Sequence, residues 1–232
     1  MSVPTLPPPP NYGRLASSYS FWEYLVFGKQ LQRCRLAWWR ELESCQNILL
    51  LGDGNGRFST HLLENHPSVR ITSLDSSSAM LNAAAKRRRN KGISEQRIST
   101  IQADIREWIH KKEESFDAVV AQFFFDNFEE QDLQSIINIV KEALLPGGKL
   151  LVSEFNIPQD THLGNCRARF TLGWLYAVFR ILTGLTTHKL IPHTPLLREA
   201  GFDQKKAVFF SQKTLISQVF TATGDNQRDI SL

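Results

Sequence analysis

Short runs of apolar and β-branched residues alternate along this chain with stretches whose apolar positions recur at helical intervals. Runs at 48–51, 69–74, 97–102, 116–122 and 149–155 predict strands, and the near-continuous apolar character of 116–122 suits a strand covered on both faces. Residues 57–63 and 79–85 predict helices. So do residues 132–144, where Leu133, Ile136, Ile137, Val140 and Leu144 form one stripe that ends at Pro146, Gly147 and Gly148. Strand, helix and strand in repetition imply right-handed crossovers, a parallel sheet, and a ligand at the carboxyl ends of the strands near the switch in strand order. A short helix at 195–202, stopped by Gly201, precedes two strands at 205–211 and 214–221. Their connection, Gln212 and Lys213, is too short for anything but an antiparallel pair. The fold class is therefore α/β, with a doubly wound, mostly parallel seven-stranded sheet and an antiparallel last strand.

Two segments fall outside this pattern. Residues 12–45 carry Tyr19, Phe21, Trp22, Tyr24, Phe27, Leu31, Trp38 and Trp39 among Lys29, Arg33, Arg35 and Arg40, an amphipathic pattern that predicts a helical lid packed across the sheet edge. Residues 158–193 form an insertion after the fifth strand, and 170–182 is the most hydrophobic stretch of the chain. A bilayer crossing takes about 20 apolar residues, and here Arg167, Arg169 and Arg180 flank or break the run, so it does not span. Two readings stay open: a helix buried over the active site, or one lying at a membrane surface with arginines towards headgroups. Residues 1–11, with four consecutive prolines, and the polar residues 223–232 read as tails, leaving 12–222 as one domain.

The first strand runs into Gly52, Asp53, Gly54, Asn55 and Gly56. Three alternating glycines let the backbone turn sharply at a strand end and approach a ligand where a side chain would clash. The dinucleotide fingerprint wants its third glycine one residue further on, where Arg57 stands, so the turn is a poor cradle for a pyrophosphate. Asp75 ends the second strand, where its two oxygens suit the two hydroxyls of a ribose. A carboxylate followed by Ser76, Ser77 and Ser78 also caps helix amides, and both roles stand together.

With these residues the chain resembles the class I S-adenosylmethionine-dependent methyltransferases over 47–155, closest in pattern to the quinone-biosynthesis and small-molecule type. The resemblance implies S-adenosyl-L-methionine as cofactor. Gly52, Asp53, Gly54 and Gly56 would lie under its methionine part, Asp75 and Ser76 at the ribose, Asp104 and Ile105 at the adenine, and Gln122 nearby. The family's usual acid two residues before the first glycine is Leu50 here, and Asp53 is the substitute within the turn. Tyr12 and Tyr19 match the tyrosine-bearing opening that closes over the cofactor. The aromatic run 123–128 stands where the family brings its acceptor, which implies a small, apolar or lipid-like molecule, and no Asn-Pro-Pro-Tyr signature favours a nucleobase.

Composition narrows these readings without changing them. A net charge of +4 is too modest to argue for nucleic acid, and the run 86–91 suits the end of a helix, where cations complement the dipole. Cys34, Cys45 and Cys166 are widely spaced, which points to no disulfide framework or zinc knuckle, and no export signal is visible, so a cytoplasmic protein is expected, with peripheral membrane contact as the open alternative. No histidine has metal-ligand spacing, and metal-independent chemistry is expected. Methyl transfer needs mainly orientation, and a base matters only for some acceptors. The candidates are Asp126, His162 and His193, with His188 and Glu154 beside them. Two other classes are a nicotinamide-dependent oxidoreductase on the same sheet and a non-catalytic S-adenosylmethionine-binding module.

Overall fold

The computed structural model describes residues 29–110, 115–156, 191–211 and 213–223. Seven strands form one sheet: β1 (Asn47–Leu51), β2 (Arg70–Asp75), β3 (Ile98–Gln102), β4 (Phe116–Gln122), β5 (Leu144–Phe155), β6 (Phe202–Phe210) and β7 (Leu215–Ala222). Their order across the sheet is β3-β2-β1-β4-β5-β7-β6. The first five pair in parallel, and β7 runs antiparallel between β5 and β6. Strand order reverses at β1, so the carboxyl ends of β1 and β4 diverge and leave room for a ligand.

Side-chain alternation sorts the core into two layers. Leu49 and Leu51 of β1, with Val119, Ala121, Leu150 and Val152, face α4 (Glu130–Ala143) and α5 (His193–Glu199). Ile48 and Leu50, with Ala118 and Val120, face Phe58, Leu62 and Leu63 of α2 (Arg57–Asn65). The helix α3 (Ser78–Asn90) packs beside α2 and buries Met80, Ala84 and Arg88, the last held by both oxygens of Glu95. Leu50 is 2% exposed within this layer, so the place of the family's usual acid is an apolar core position here.

Several expected boundaries shift. β5 begins at Leu144, earlier than 149, because Phe116 pairs with Leu144 across a register shift that accommodates Pro146, Gly147 and Gly148. β6 begins at Phe202, and the last helix ends at Glu199. Beyond β3, residues 105–107 make a turn, where Arg106 folds back onto Asp104.

The described part of the lid consists of α1 (Gln30–Arg35) and a 3₁₀ turn at Trp39–Leu42. Leu31 and Cys34 of α1 pack on Leu215 with Phe123, Phe155 and Phe210 around them. The Cys34 thiol donates to the Ile216 carbonyl at 3.5 Å, and Trp38 Nε1 to the Ser217 carbonyl at 3.1 Å. Burial pushes the Cys34 thiol up to about 12, so it stays protonated. Most of the insertion 158–193, both tails, Tyr12, Tyr19 and His162 lie outside the described residues.

Candidate active site

The glycine turn is built by backbone geometry. Gly52, Gly54 and Gly56 all have φ near +60° to +80°, a region costly for any other residue. A Cβ on Gly52 would lie 2.6 Å from the Phe124 ring, and one on Gly56 2.7 Å from the Ala84 Cβ. Among the described residues, Gly54 alone of the three faces open space, with nothing beyond its chain neighbours within 4 Å of such a Cβ. Two of the three glycines thus serve packing, and the middle one faces the space a ligand would take.

Asp75 closes this space from β2. Its Oδ1 accepts from Ser77 N at 2.9 Å and its Oδ2 from Gly54 N at 3.3 Å, while the Ser77 hydroxyl caps α3 through Met80 N. Burial pushes its carboxyl up to about 6, against the pull of the two amides. A buried carboxylate beside an open glycine gains from further donors, and two ribose hydroxyls are donors of the right kind. The residues therefore fit the nucleoside end of the cofactor.

Other expected residues divide. Asp53 turns towards α2, where its oxygens meet Ser59 N at 3.3 and 3.4 Å, and burial raises its pKa. Both Asp104 oxygens are taken by Arg106, which also pairs with Asp132 at 3.0 Å. The Arg106 bonds hold the Asp104 carboxyl below its ordinary value despite desolvation. The Ile105 side chain is core, 2% exposed, so only its backbone is left to meet a ligand. Ser76 lies half-buried beside Asp75, and Gln122 Nε2 donates to the Arg35 carbonyl at 2.8 Å, tying β4 to the lid. His193 is buried, its Nε2 at 2.7 Å from Gln218 Oε1, and burial lowers its pKa.

The acceptor end is aromatic and acidic. Phe123 has φ +54°, and its amide donates to the Ser153 carbonyl at 2.6 Å, which turns the chain sharply out of β4. Phe124 then packs on Phe128 at 5.1 Å and against Gly52. Glu154 of β5 accepts from Phe124 N at 2.9 Å and Phe125 N at 2.8 Å, fixing this loop. The Phe124–Gly52 contact and the Glu154 clamp leave no local sequence signal; only the strand order brings them together. An open groove of about 660 Å³ runs between α1, Trp38 and β6, with Leu36, Trp38, Val208 and Phe210 as walls and Lys29, Arg33 and Arg57 among its lining. Arg57 follows the last glycine directly, so the groove abuts the turn.

The fold is that of an α/β domain, and its glycine turn and Asp75 fit a nucleoside. The antiparallel β7 lying inside the sheet, with the missing third fingerprint glycine, sets it apart from the nicotinamide-binding arrangement. Residues 48–148 match the family model described as a methyltransferase domain. Over that segment the chain is similar to S-adenosylmethionine-dependent methyltransferases. It is 40% identical over 117 residues, 49% of this chain and 44% of the relative, to the ubiquinone/menaquinone biosynthesis C-methyltransferase UbiE of Wigglesworthia glossinidia brevipalpis. It is 27% identical over 184 residues, 79% of this chain and 63% of the relative, to the malonyl-[acyl-carrier protein] O-methyltransferase of Paenibacillus sp. (strain JDR-2). The chain thus spans about half to two thirds of their lengths. Its fold matches the N-methyltransferase NodS of Bradyrhizobium japonicum WM9, solved with S-adenosyl-L-homocysteine, with a TM-score of 0.63, 20% identity, and coverage of 90% of this chain and 95% of that one.

Proposed function

We propose that this chain transfers a methyl group from S-adenosylmethionine to a small, apolar or lipid-like acceptor. The observation that carries the reading is the buried Asp75 carboxylate facing the open side of Gly54. When bound, the cofactor supplies an activated sulfonium methyl. Gly54 and its neighbours would hold the methionine part, Asp75 and Ser76 the ribose, and the backbone at Asp104 and Ile105 the adenine. Phe123, Phe124 and Phe128 would orient the acceptor and exclude water, since orientation alone can be worth roughly 7 to 11 kcal/mol.

Support for the acceptor class comes from those rings and from the apolar walls of the groove, whose cations suit a molecule with one polar end. Relatives whose names specify a quinone-pathway C-methyltransferase and a 3-hydroxy-5-methyl-1-naphthoate 3-O-methyltransferase agree with an apolar, planar acceptor. Among the described residues no helix is long and apolar enough to cross a membrane. Contact with a membrane surface, if the acceptor is a lipid, falls to the insertion, and the cytoplasm is the compartment in this reading.

Isothermal titration with S-adenosylmethionine and S-adenosylhomocysteine tests the core of the proposal. Both should bind, and Asp75→Ala should weaken binding about 100-fold, as expected for the loss of two hydrogen bonds to a charged acceptor. Unchanged affinity in the variant, or no binding to the wild type at high micromolar concentration, removes the reading.

A further inference from the structure

α1 presents two faces, and β7 covers one of them. Leu31 and Cys34 rest on Leu215. Lys29, Gln32, Arg33, Leu36 and Ala37 recur at helical spacing through α1 and its flanks, and they form one wall of the open groove of about 660 Å³. Val208 and Phe210, alternate residues of the edge strand β6, form another, while Phe209 between them is exposed. That volume is the size of a site for a small organic molecule.

The groove has a direction. Leu31 packs on Leu215, which pairs with Phe210, whereas Trp38 Nε1 bonds to the carbonyl of Ser217, which pairs with Val208. The amino end of α1, with Lys29 and Arg33, thus lies at the level of Phe210, and Leu36 and Trp38 lie towards Val208. One end is cationic and the other apolar. Lys29 and Arg33 are exposed, and among the described residues neither side chain has an ion pair or a hydrogen bond. Arg57, the first residue of α2, adds a third cation to the lining, and no aspartate or glutamate stands among the described lining residues. Glu41, whose amide bonds to the Trp38 carbonyl, is met by Lys206, which also lies 5.6 Å over the Trp38 ring, so the acid next to the apolar end is neutralised.

A carboxylate matches the cationic end, because it carries one charge and takes a guanidinium fork through both oxygens. The indole of Trp38 and the ring of Phe210 favour a flat ring over a loose chain, which would lose more freedom on ordering. We infer that this groove binds a small aryl carboxylate, its ring lying along Leu36, Trp38 and Val208 and its carboxylate held by Lys29 and Arg33. The lining contains neither Gly54 nor Asp75, so binding here is separate from the proposed cofactor contacts and stands whether the methyl-transfer reading holds or fails.

The probe is 1-naphthoate. Calorimetry of the full chain at neutral pH and low salt should give a Kd near or below about 1 mM, the strength expected of a ligand of its size. The neutral analogue 1-naphthalenemethanol should bind about tenfold more weakly. Affinity for 1-naphthoate should fall severalfold as salt rises from about 0.02 to about 0.5 M. The double variant Lys29→Gln, Arg33→Gln alters only exposed side chains; it should melt with the wild type and bind 1-naphthoate about fivefold to tenfold more weakly. The Trp38 indole N–H signal in ¹⁵N NMR, assigned with Trp38→Phe, should shift as the groove fills. No binding at about 5 mM, equal affinity for the neutral analogue, unchanged affinity in the double variant or an unmoved Trp38 signal each overturns the site. A dimer, or sedimentation with anionic phospholipid vesicles, that the double variant abolishes while 1-naphthoate fails to bind makes the groove a protein or membrane contact and overturns it as well.

Discussion

At the end of β2 a carboxylate meets two amides beside an open glycine; at the end of β5 another, 1% exposed, meets two amides of the following loop. Asp75 is bonded to the amide of Gly54, the glycine of the turn whose face is open. Glu154 is enclosed, and its bonds fix a loop. In the reading proposed above, the same chemical group would serve recognition in one half of the site, and it serves architecture in the other. What separates the two is whether the nearest glycine leaves room: the Gly54 face is open, whereas a Phe124 ring covers Gly52.

The sharpest way to break this comparison is at the glycines. Gly56→Ala places a methyl against Ala84 at a positive φ, and it should destabilise the fold by about 3 kcal/mol in urea denaturation. Acidification comes next. The free Asp75 carboxyl lies near 6 and the bound one is ionised, so cofactor affinity should fall about tenfold between pH 7 and 5, read by calorimetry with about half a proton released per cofactor bound at pH 6 and close to one at pH 5. The fold itself should respond in the opposite sense. Asp75 and Asp126 bind protons more tightly folded than unfolded, so stability without cofactor should decline as pH rises from about 4 towards 7. Gly54→Ala should cost only about 1 kcal/mol of stability, from its φ alone, yet weaken cofactor binding more than Gly56→Ala does per unit of stability lost. Smallest of all, Glu64→Gln removes an exposed partner of Lys91 at 3.4 Å and should change stability by less than about 0.5 kcal/mol.

The same contrast explains what was legible in the sequence. β1, β2 and β4 fell within a residue of expectation because each is an apolar run closed by glycine or by a polar residue at the sheet's edge. Asp75 and Gly54 lie 21 residues apart, one strand-helix-strand unit, so the spacing itself carries their meeting. Glu154 and Phe124 are 30 residues apart across a helix and a register shift, and nothing in either neighbourhood names the other. The start of β5 was hidden for a related reason: Pro146, Gly147 and Gly148 read as a break, whereas the pairing of Leu144 with Phe116 carries the strand through it. Asp104 shows the limit from the other side, since the position was marked by the pattern while its engagement by Arg106, two residues on, was not.

The thiol of Cys34 reaches a carbonyl 182 positions later in the chain, and the indole of Trp38 one 179 positions later. On a ribosome, α1 is therefore made long before the surface it rests on exists. The parallel strands can assemble while α1 waits, and α1 finds its resting place only when β7 slides between its neighbours, so docking of that helix is one of the last acts of synthesis.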